Sequence, residues 1–538
     1  MSCVLVSLYI SRIELRDCSQ VPLREFFPLR SAANMLLPID YIRSLSLAGV
    51  FTGFAALLVT WYIVSAIATW YRLRHIPGPS LASFSYIWLS KSIIFNTLAK
   101  DFRNLNNYGG LARVGPNSIV TNDPDVLRRL ASARTKYTKD EWYSAIAVSP
   151  HQVTMVTLLD NAPHDKTKAK TSSGYNGREN PDIEVAVDSQ IINLINTIRR
   201  KHLTTKTKFC NVDLVNIIRR FTLDILTRLG YGQAFGFQDA DEELYDYATH
   251  LERALKTMSL SQEVPFLRRI VFSKFLFDIF GPKATDEKGV GKIMGIAEKI
   301  IDERFECEKP ANDMMASFIR HGLTRKECCD EAMLQLLAGT DTTAGAIRST
   351  LLYIMATPRV YSRLKSMIKQ CVERKEVSSP ITNDEAQKLP YLQAVILEGL
   401  RIKNPLTYGH YKRVPPEGDT INGMFLPGGT LIGHNTIGLT HNEAIFGEDV
   451  DVFRPERFLE CDKEKRVEME RAIEIIFGGG RWSCAGKSIA FWEFNKVYFE
   501  LLRAFDFQLI NPQKAWDESV YFLHFHRNMW VRITEAEL

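Results

Sequence analysis

Between Arg43 and Arg72 the chain runs for 28 residues, SLSLAGVFTGFAALLVTWYIVSAIATWY, without one charged side chain. As a helix this stretch would reach roughly 40 Å, enough to cross a bilayer with some tilt. Buried core helices seldom run this long without a charge, so a transmembrane helix is expected over 44–71. Trp61, Tyr62, Trp70 and Tyr71 are interfacial residue types, and the last two close the span. Arg72, Arg74 and His75 follow at once, which favours a cytosolic body, although five arginines in residues 1–43 blur that signal. Ile76-Pro77-Gly78-Pro79 cannot continue a helix and predicts a basic and Pro-Gly-Pro hinge over 72–79, with the body at 80–538. Residues 1–43 form an N-terminal extension. Within it Met35 opens MLLPIDYIRS, an alternative start, and SCVLVSLYI lacks the basic lead-in of a cleavable signal.

In the body, LARVGPNSIVTNDP (Leu111–Pro124) carries apolar and β-branched residues around a Gly-Pro turn and predicts two short strands. From about 182 to 310 charged and apolar residues alternate at helical spacing. One patch there, VPFLRRIVFSKFLFDIF (Val264–Phe280), reads equally as core or as a segment dipping into a membrane surface. TRKE (Thr324–Glu327) fits a capping box, and the helical pattern after it holds to Met355 and stops before Pro358. A further helix is expected over 383–402, short strands over 413–433, and a last helix just after Cys484. The pattern is mainly α with a smaller β region.

Composition narrows the function. The 538 residues are 46% hydrophobic, and 67 basic against 62 acidic side chains leave a net charge of +5. With no basic stripe interleaved with aromatics, a nucleic-acid partner is excluded. Nine cysteines (3, 18, 210, 307, 328, 329, 371, 461 and 484) are scattered without a CxxC, and no N-x-S/T sequon occurs. Both features fit a body kept in a reducing compartment.

Three constellations carry candidate chemistry. Near the centre of the long helix, AGTDTT (Ala338–Thr343) puts a glycine and consecutive polar side chains where a helix disfavours them. A solvated face would explain them, but the flanking LQLLAG and AGAI are apolar. A buried acid beside a buried hydroxyl suits proton delivery, with Asp341 carrying protons inward and Thr342 holding a water or hydroxyl. Glu398 and Arg401 in LEGLR share a helix face at i,i+3, a spacing that Glu468 and Arg471 also have. Arg457 in FRPERF adds a third member for a buried network that positions the following loop. In that loop, FGGGRWSCAG (Phe477–Gly486), a lone cysteine sits among glycines. It reads as a small hydrophobe, a redox thiol or a metal ligand. A buried thiolate needs a cation to neutralise it, and a haem iron would do so while the glycines let the backbone pass under a flat macrocycle.

Taken together these motifs resemble the cytochrome P-450 family. Phe477, Gly480, Cys484 and Gly486 match its haem-binding signature F-x-x-G-x-x-x-C-x-G, and AGTDTT is similar to its oxygen-activation motif. Glu398, Arg401 and Arg457 match its structural network, LPYLQAVILEGLR (Leu389–Arg401) looks like its equivalent helix, and the span with its PGP hinge resembles microsomal members. The motifs stand in the family's order, so the resemblance covers residues 77–538. Two departures stand out. The signature usually has a basic residue two positions before the cysteine, where this chain has Trp482, with Arg481 one earlier, as in some fungal-type members. On the propionate-binding helix, His164 and Lys168 occupy the spacing usually held by Trp or His and Arg, and lysine lacks the guanidinium fork.

The resemblance implies a P-450 fold with haem b between the long central helix and the Cys-ligand loop. It implies Cys484 as the metal ligand, with Trp482, Arg481, His164, Lys168 and Arg413 as candidate cofactor contacts. It implies a monooxygenase using O2 and electrons from NADPH through a flavoprotein reductase, with a cytochrome b5-type donor as a second partner. Single-pass endoplasmic-reticulum anchoring with a cytosolic catalytic domain follows by the same route. Lys166, Lys168, Lys170, Arg481 and Lys487 are candidates for a basic docking face. The pocket candidates Trp142–Pro150, Ala338–Thr343, Pro405–Tyr411 and Tyr521–Phe525 are apolar and aromatic, which predicts a lipophilic small-molecule substrate, for instance in secondary metabolite biosynthesis. Competing readings are a haem-thiolate isomerase or dehydratase that needs no O2, and a non-catalytic haem protein.

Overall fold

The computed structural model describes residues 47–147, 149–242, 244–306 and 311–537. The expected extension over 1–43, with Met35, lies outside these residues. The first described element is a helix, Leu47–Leu73, whose residues 51–65 are all exposed. It extends two residues beyond the expected end at Tyr71, taking in Arg72 and Leu73. Over Phe51–Leu73 it is long and apolar enough to cross a membrane.

In the body, the longest helix is Arg325–Ala356. Its start is fixed by the capping box read in the sequence: the Thr324 hydroxyl accepts from the Glu327 N–H, and the Glu327 carboxylate accepts from the Thr324 N–H. Its end precedes Pro358, which opens the next helix at a position where a missing N–H costs nothing. This central helix packs on Leu214–Tyr231, Gly289–Glu306, Pro390–Ile402 and Lys487–Ala504. Nearly every residue of its second half is buried. The apolar core lies between these helices, which explains why so many of their side chains are aliphatic or aromatic on all faces.

One expectation needs correcting. The helix foreseen over 383–402 is two helices, Asn383–Gln387 and Pro390–Ile402. Pro390 cannot donate an N–H into a continuing helix, so the short first piece, opened by a second capping box of Thr382 with Glu385, stops before it.

The smaller β region includes a five-stranded sheet in the order Leu111–Gly115, Ser118–Thr121, Leu431–Asn435, Tyr408–Arg413, Thr138–Lys139. Ser118–Thr121 and Leu431–Asn435 run parallel and the other neighbours antiparallel. In the last pair Lys139 stands directly opposite Lys412. A separate hairpin pairs Asp517–Val520 with His524–Arg527, and its turn is joined to the segment after Ile402 by a Leu406–Leu523 bridge.

Candidate active site

The cysteine loop is held by its own backbone and by neighbours on both sides. The Cys484 N–H donates to the Phe477 carbonyl at 2.7 Å, closing the turn, and the Arg481 N–H donates to Ala131 at 2.9 Å. Gly478 and Gly480 have φ of +71° and +48°, and a Cβ on Gly480 would run into the Ala131 carbonyl. Only glycine satisfies both demands there. Lys168, on the helix Asn161–Tyr175, donates to the carbonyls of Arg481 (2.8 Å) and Ser483 (3.2 Å) and to the Ser483 hydroxyl (2.9 Å). Arg481 itself pairs with Asp165 at 2.8 Å.

Cys484 is exposed within this turn, and the Phe477 ring packs tilted against Phe491, centroids 5.5 Å apart. The surrounding fold still desolvates the sulfur and pushes the thiol pKa up. The backbone N–H groups of Gly486 and Lys487 and the charges of Lys168 and Lys487 oppose that shift. Those groups stabilise a thiolate. At Gly486 a Cβ would meet nothing within 4 Å, so the loop leaves room beside the sulfur.

Glu398, Arg401 and Arg457 are brought together, all buried. Arg401 grips Glu398 with two hydrogen bonds (2.7 and 2.8 Å), and Arg457 Nε reaches both carboxylate oxygens at 3.1 and 3.0 Å. The remaining guanidinium N–H groups bind carbonyls of Thr440, Phe446, Asp449, Val450 and Val452. A doubly bonded carboxylate thus fixes the stretch that leads into the cysteine loop.

On the central helix Ala338 is exposed and Thr342 half-buried, while Thr340, Asp341 and Thr343 around them are buried. The Thr342 hydroxyl donates to the Ala338 carbonyl at 2.7 Å, which leaves its oxygen as an acceptor. Asp341 pairs with Arg219 Nε at 3.1 Å in a setting where both side chains are buried. Arg219 also lies over the Phe525 ring, 5.1 Å from its centroid. The other three pocket candidates converge on Trp142, whose ring is 6.0 Å from Tyr411, 5.8 Å from His410 and 6.3 Å from Phe522. Thr407 N–H donates to the Phe522 carbonyl at 2.9 Å.

The candidate propionate contacts divide. Trp482 Nε1 is buried without a partner in the protein. His164 is buried against Asp165, and burial together with the Lys139 charge pushes its pKa down to about 4. Arg413 is half exposed and engaged by Asp140. The buried cation on that strand is its neighbour Lys412, whose ammonium sits 4.3 Å from the Trp482 ring centroid and donates to the Tyr143 hydroxyl.

These residues fit a haem: a thiol in a glycine turn with room beside it, an orphaned indole N–H two residues away, and buried cations at one edge. Cys484 would hold the iron. Sequence reasoning missed Arg219 and Lys412, and held Tyr143 only as part of the pocket candidate Trp142–Pro150. For Arg219 the signal was an arginine doublet inside the otherwise apolar VNIIRRFTLDIL (Val215–Leu226).

The family model for Cytochrome P450 matches residues 77–523, and the chain belongs to that family. It is 43% identical over 470 residues to Cytochrome P450 monooxygenase aba1 of Botryotinia fuckeliana, covering 86% of this chain and 92% of that one. It is 40% identical over 499 residues to Cytochrome P450 monooxygenase ABA1 of Pyricularia oryzae, covering 90% and 97%. It is 40% identical over 473 residues to Cytochrome P450 monooxygenase abl1 of Leptosphaeria maculans, covering 86% and 83%. The chain is therefore an oxidoreductase of the monooxygenase kind, and its family implies haem, O2 and a redox partner.

Proposed function

We propose that this chain is a haem-thiolate monooxygenase, anchored in the endoplasmic reticulum with its body in the cytosol, that oxidises a lipophilic small molecule of secondary metabolism. The observation that carries this reading is the Cys484 turn, closed by the Cys484 N–H on the Phe477 carbonyl, shaped by the left-handed Gly478 and Gly480 and braced by Lys168. Haem, once bound there, supplies the activation of O2 and the transfer of one oxygen atom to substrate, with the thiolate donating electron density.

The chain's own part is positioning and proton supply. Thr342 offers an acceptor oxygen in a stretch of otherwise buried side chains, and so orients a water molecule. Asp341, held by Arg219 through Oδ1, keeps Oδ2 without a protein partner, and that oxygen is the candidate for relaying a proton toward Thr342. The buried aromatic cluster around Trp142 keeps water out and makes a rigid apolar wall behind the candidate pocket segments.

Electrons come from an NADPH-dependent flavoprotein reductase, or from a cytochrome b5-type donor for the second electron. On the cysteine side Lys166 is exposed to such an acidic partner, while Lys170 donates to the Gly322 carbonyl and Arg481 and Lys487 are already paired with Asp165 and Glu474. Lys168 drops out of this docking face because its ammonium is tied to the loop carbonyls.

The rival reading, an isomerase or dehydratase without O2, leaves the Asp341–Thr342 pair without a task. The test is reconstitution with a reductase. Reduced, CO-treated protein shows the strongly red-shifted Soret band of thiolate ligation, and turnover of a lipophilic substrate requires both O2 and NADPH. Turnover under nitrogen would overturn the oxygenase reading. A band at the position of nitrogen-ligated haem would overturn the thiolate.

A further inference from the structure

Two lysines stand opposite each other in the sheet at its strand next to the cysteine loop. Lys139 and Lys412 are register partners of adjacent antiparallel strands, so their side chains share a face. Both are buried, at 5% and 3% exposure. Like charges directly across a strand pair repel, and a buried ammonium is costly unless an anion meets it. Yet neither lysine forms an ion pair among the described residues. Lys139 Nζ donates to the carbonyls of Met155 (2.9 Å) and Val156 (3.0 Å). Lys412 Nζ donates to the Tyr143 hydroxyl and to the His410 carbonyl at 3.3 Å. The Tyr143 ring lies between them, 5.2 Å from one ammonium and 4.4 Å from the other. The Trp482 ring lies 4.3 Å from Lys412, and its indole N–H is buried without a partner.

We propose that the cross-strand pair Lys139 and Lys412, with the Trp482 indole N–H, forms the seat of a haem propionate carboxylate. Arg413, the neighbouring cation in sequence, takes no part. This rests on the haem-thiolate reading and assigns residues within it. The place fits because Trp482 is two residues from Cys484, so the seat lies at the edge of whatever plane the sulfur faces. The charge fits because one carboxylate relieves two ammonium groups at once. It also explains how the strand pair is tolerated in the folded protein. Burial depresses both ammonium pKa values, helped at Lys139 by the Lys168 charge, which takes it to about 7, and at Lys412 by the Lys139 charge. The other charged or titratable groups facing them are Lys168, Glu331, Asp165, His164 and His410 around Lys139, and Tyr143, His410 and His434 around Lys412. A carboxylate brought between the lysines reverses this depression, since an opposite charge favours the ammonium form.

A carboxylate there could belong to haem or to a substrate, and esterified haem separates the two. Full-length protein is loaded with protohaem or with its dimethyl ester, and haem loss to excess apomyoglobin is timed for wild type, Lys139→Met, Lys412→Met and Arg413→Gln. In wild type the ester, which lacks both propionate charges, leaves at least about tenfold faster than protohaem, the cost of one charge-assisted contact or more. In either lysine variant this preference shrinks by about tenfold, because substitution removes the contact of one of the two carboxylates that esterification blocks. Arg413→Gln keeps the wild-type preference. Equal loss of both haems from wild type overturns the proposal and gives the lysines to a substrate carboxylate. A preference as large as the wild type's in both lysine variants, or reduced in Arg413→Gln, overturns it as well. A wild-type chain that takes up neither haem overturns the haem-thiolate reading itself. If a methionine variant loses too much structure to load, Lys412→Gln and Lys139→Gln provide the same comparison with a polar side chain.

Discussion

Arg219 Nε lies 3.1 Å from Oδ1 of Asp341, inside the body and away from water. The second oxygen of Asp341 and the Nη2 of Arg219 have no partner in the protein. The pair is therefore half satisfied: the guanidinium orients the carboxylate through Oδ1, and the second oxygen is buried without a partner. A purely structural ion pair in such a place would be expected to close both forks.

Asp341→Asn keeps the shape and removes the proton carrier. We expect normal haem spectra and a fall in product formation of about 100-fold, in the range of a lost acid–base group. Arg219→Met leaves a buried carboxylate alone and lowers stability by about 3–5 kcal/mol. The double variant regains most of that stability but none of the turnover. Thermal unfolding read beside product formation checks all three. Recovery of turnover in the double variant would deny Asp341 its role.

Thr342 makes one hydrogen bond, to Ala338, one turn earlier on its own helix. Thr342→Ala removes a bond worth about 1 kcal/mol and barely alters folding. It also removes the acceptor that orders water, so reducing equivalents are expected to leave as peroxide instead of product. Thr342→Ser restores coupling. The check is peroxide formed per NADPH consumed, and tight coupling in the alanine variant contradicts the assignment.

How far the sequence led depends on whether a feature is local. The capping box at Thr324 and the glycine turn at Gly478–Gly480 are written within a few consecutive residues, and the chain obeys them. Arg401 meeting Glu398 is one helical turn, legible by spacing. Lys412 and Arg413 show where this stops. Adjacent residues of a strand face opposite sides, and which side holds the cofactor depends on pairing with Lys139, 273 residues before Lys412. The same holds for Arg219 and Arg220. Packing against the central helix selects the first, and the second turns to Asp241 at 3.1 Å. The break at Pro390 was legible too, since Pro at a first helical turn marks a start as readily as an interior kink.

The Glu398 network predicts an all-or-none defect. Its two arginines bind one carboxylate with four hydrogen bonds, and none of the three side chains is exposed. Glu398→Gln strands the buried Arg401 guanidinium and leaves Arg457 only Asp449 as an anion, and Arg401→Met leaves the buried Glu398 carboxylate with Arg457 alone. Each is expected to cost about 3–5 kcal/mol and to yield protein without bound haem. Absorbance at the Soret band relative to 280 nm reads this directly. Normal haem content in Glu398→Gln would mean that the network does not hold the loop.

Membrane attachment divides between two surfaces. Besides the Leu47–Leu73 helix, the short helices Pro265–Val271 and Lys274–Phe280 expose Phe266 (71%), Phe275 (73%) and Phe280 (80%). Arg269 and Lys274 lie among them, as in segments that rest on anionic lipid. Of the two readings open in the sequence, this exposure favours contact with a membrane surface over burial in the core. Removing residues 1–34 should leave membrane association intact. Removing residues through Tyr71 should weaken it to a salt-sensitive remainder, and adding Phe275→Ser and Phe280→Ser should abolish that remainder. Flotation with liposomes, with and without high salt, distinguishes the steps. A remainder that survives both serine substitutions would place the second contact elsewhere.

The indole of Trp142 donates to Glu263 Oε1 at 2.7 Å, joining the segment Glu141–Ile146 to the end of the helix Tyr247–Glu263. Burial pushes the Glu263 carboxyl up to about 7, against the pull of the Trp142 and Tyr408 hydrogen bonds and the Arg268 charge. Folded protein therefore holds this proton to higher pH than unfolded chain does. The folded state binds more protons between roughly pH 4.5 and 7, and by linkage its stability falls as pH rises through that window. Glu331, also pushed up to about 7 by burial, acts with the same sign. Glu263→Gln keeps an acceptor for the indole and cannot ionise, so it should match wild type near pH 5 and unfold at a higher temperature near pH 8. The difference is of the order of 3 kcal/mol at most. Melting curves at the two pH values, for wild type, Glu263→Gln and Trp142→Phe, decide the matter. Parallel wild-type and Glu263→Gln curves would show that the carboxyl does not titrate in this range, whereas a Trp142→Phe protein destabilised at both values fits a latch that the indole closes in either charge state.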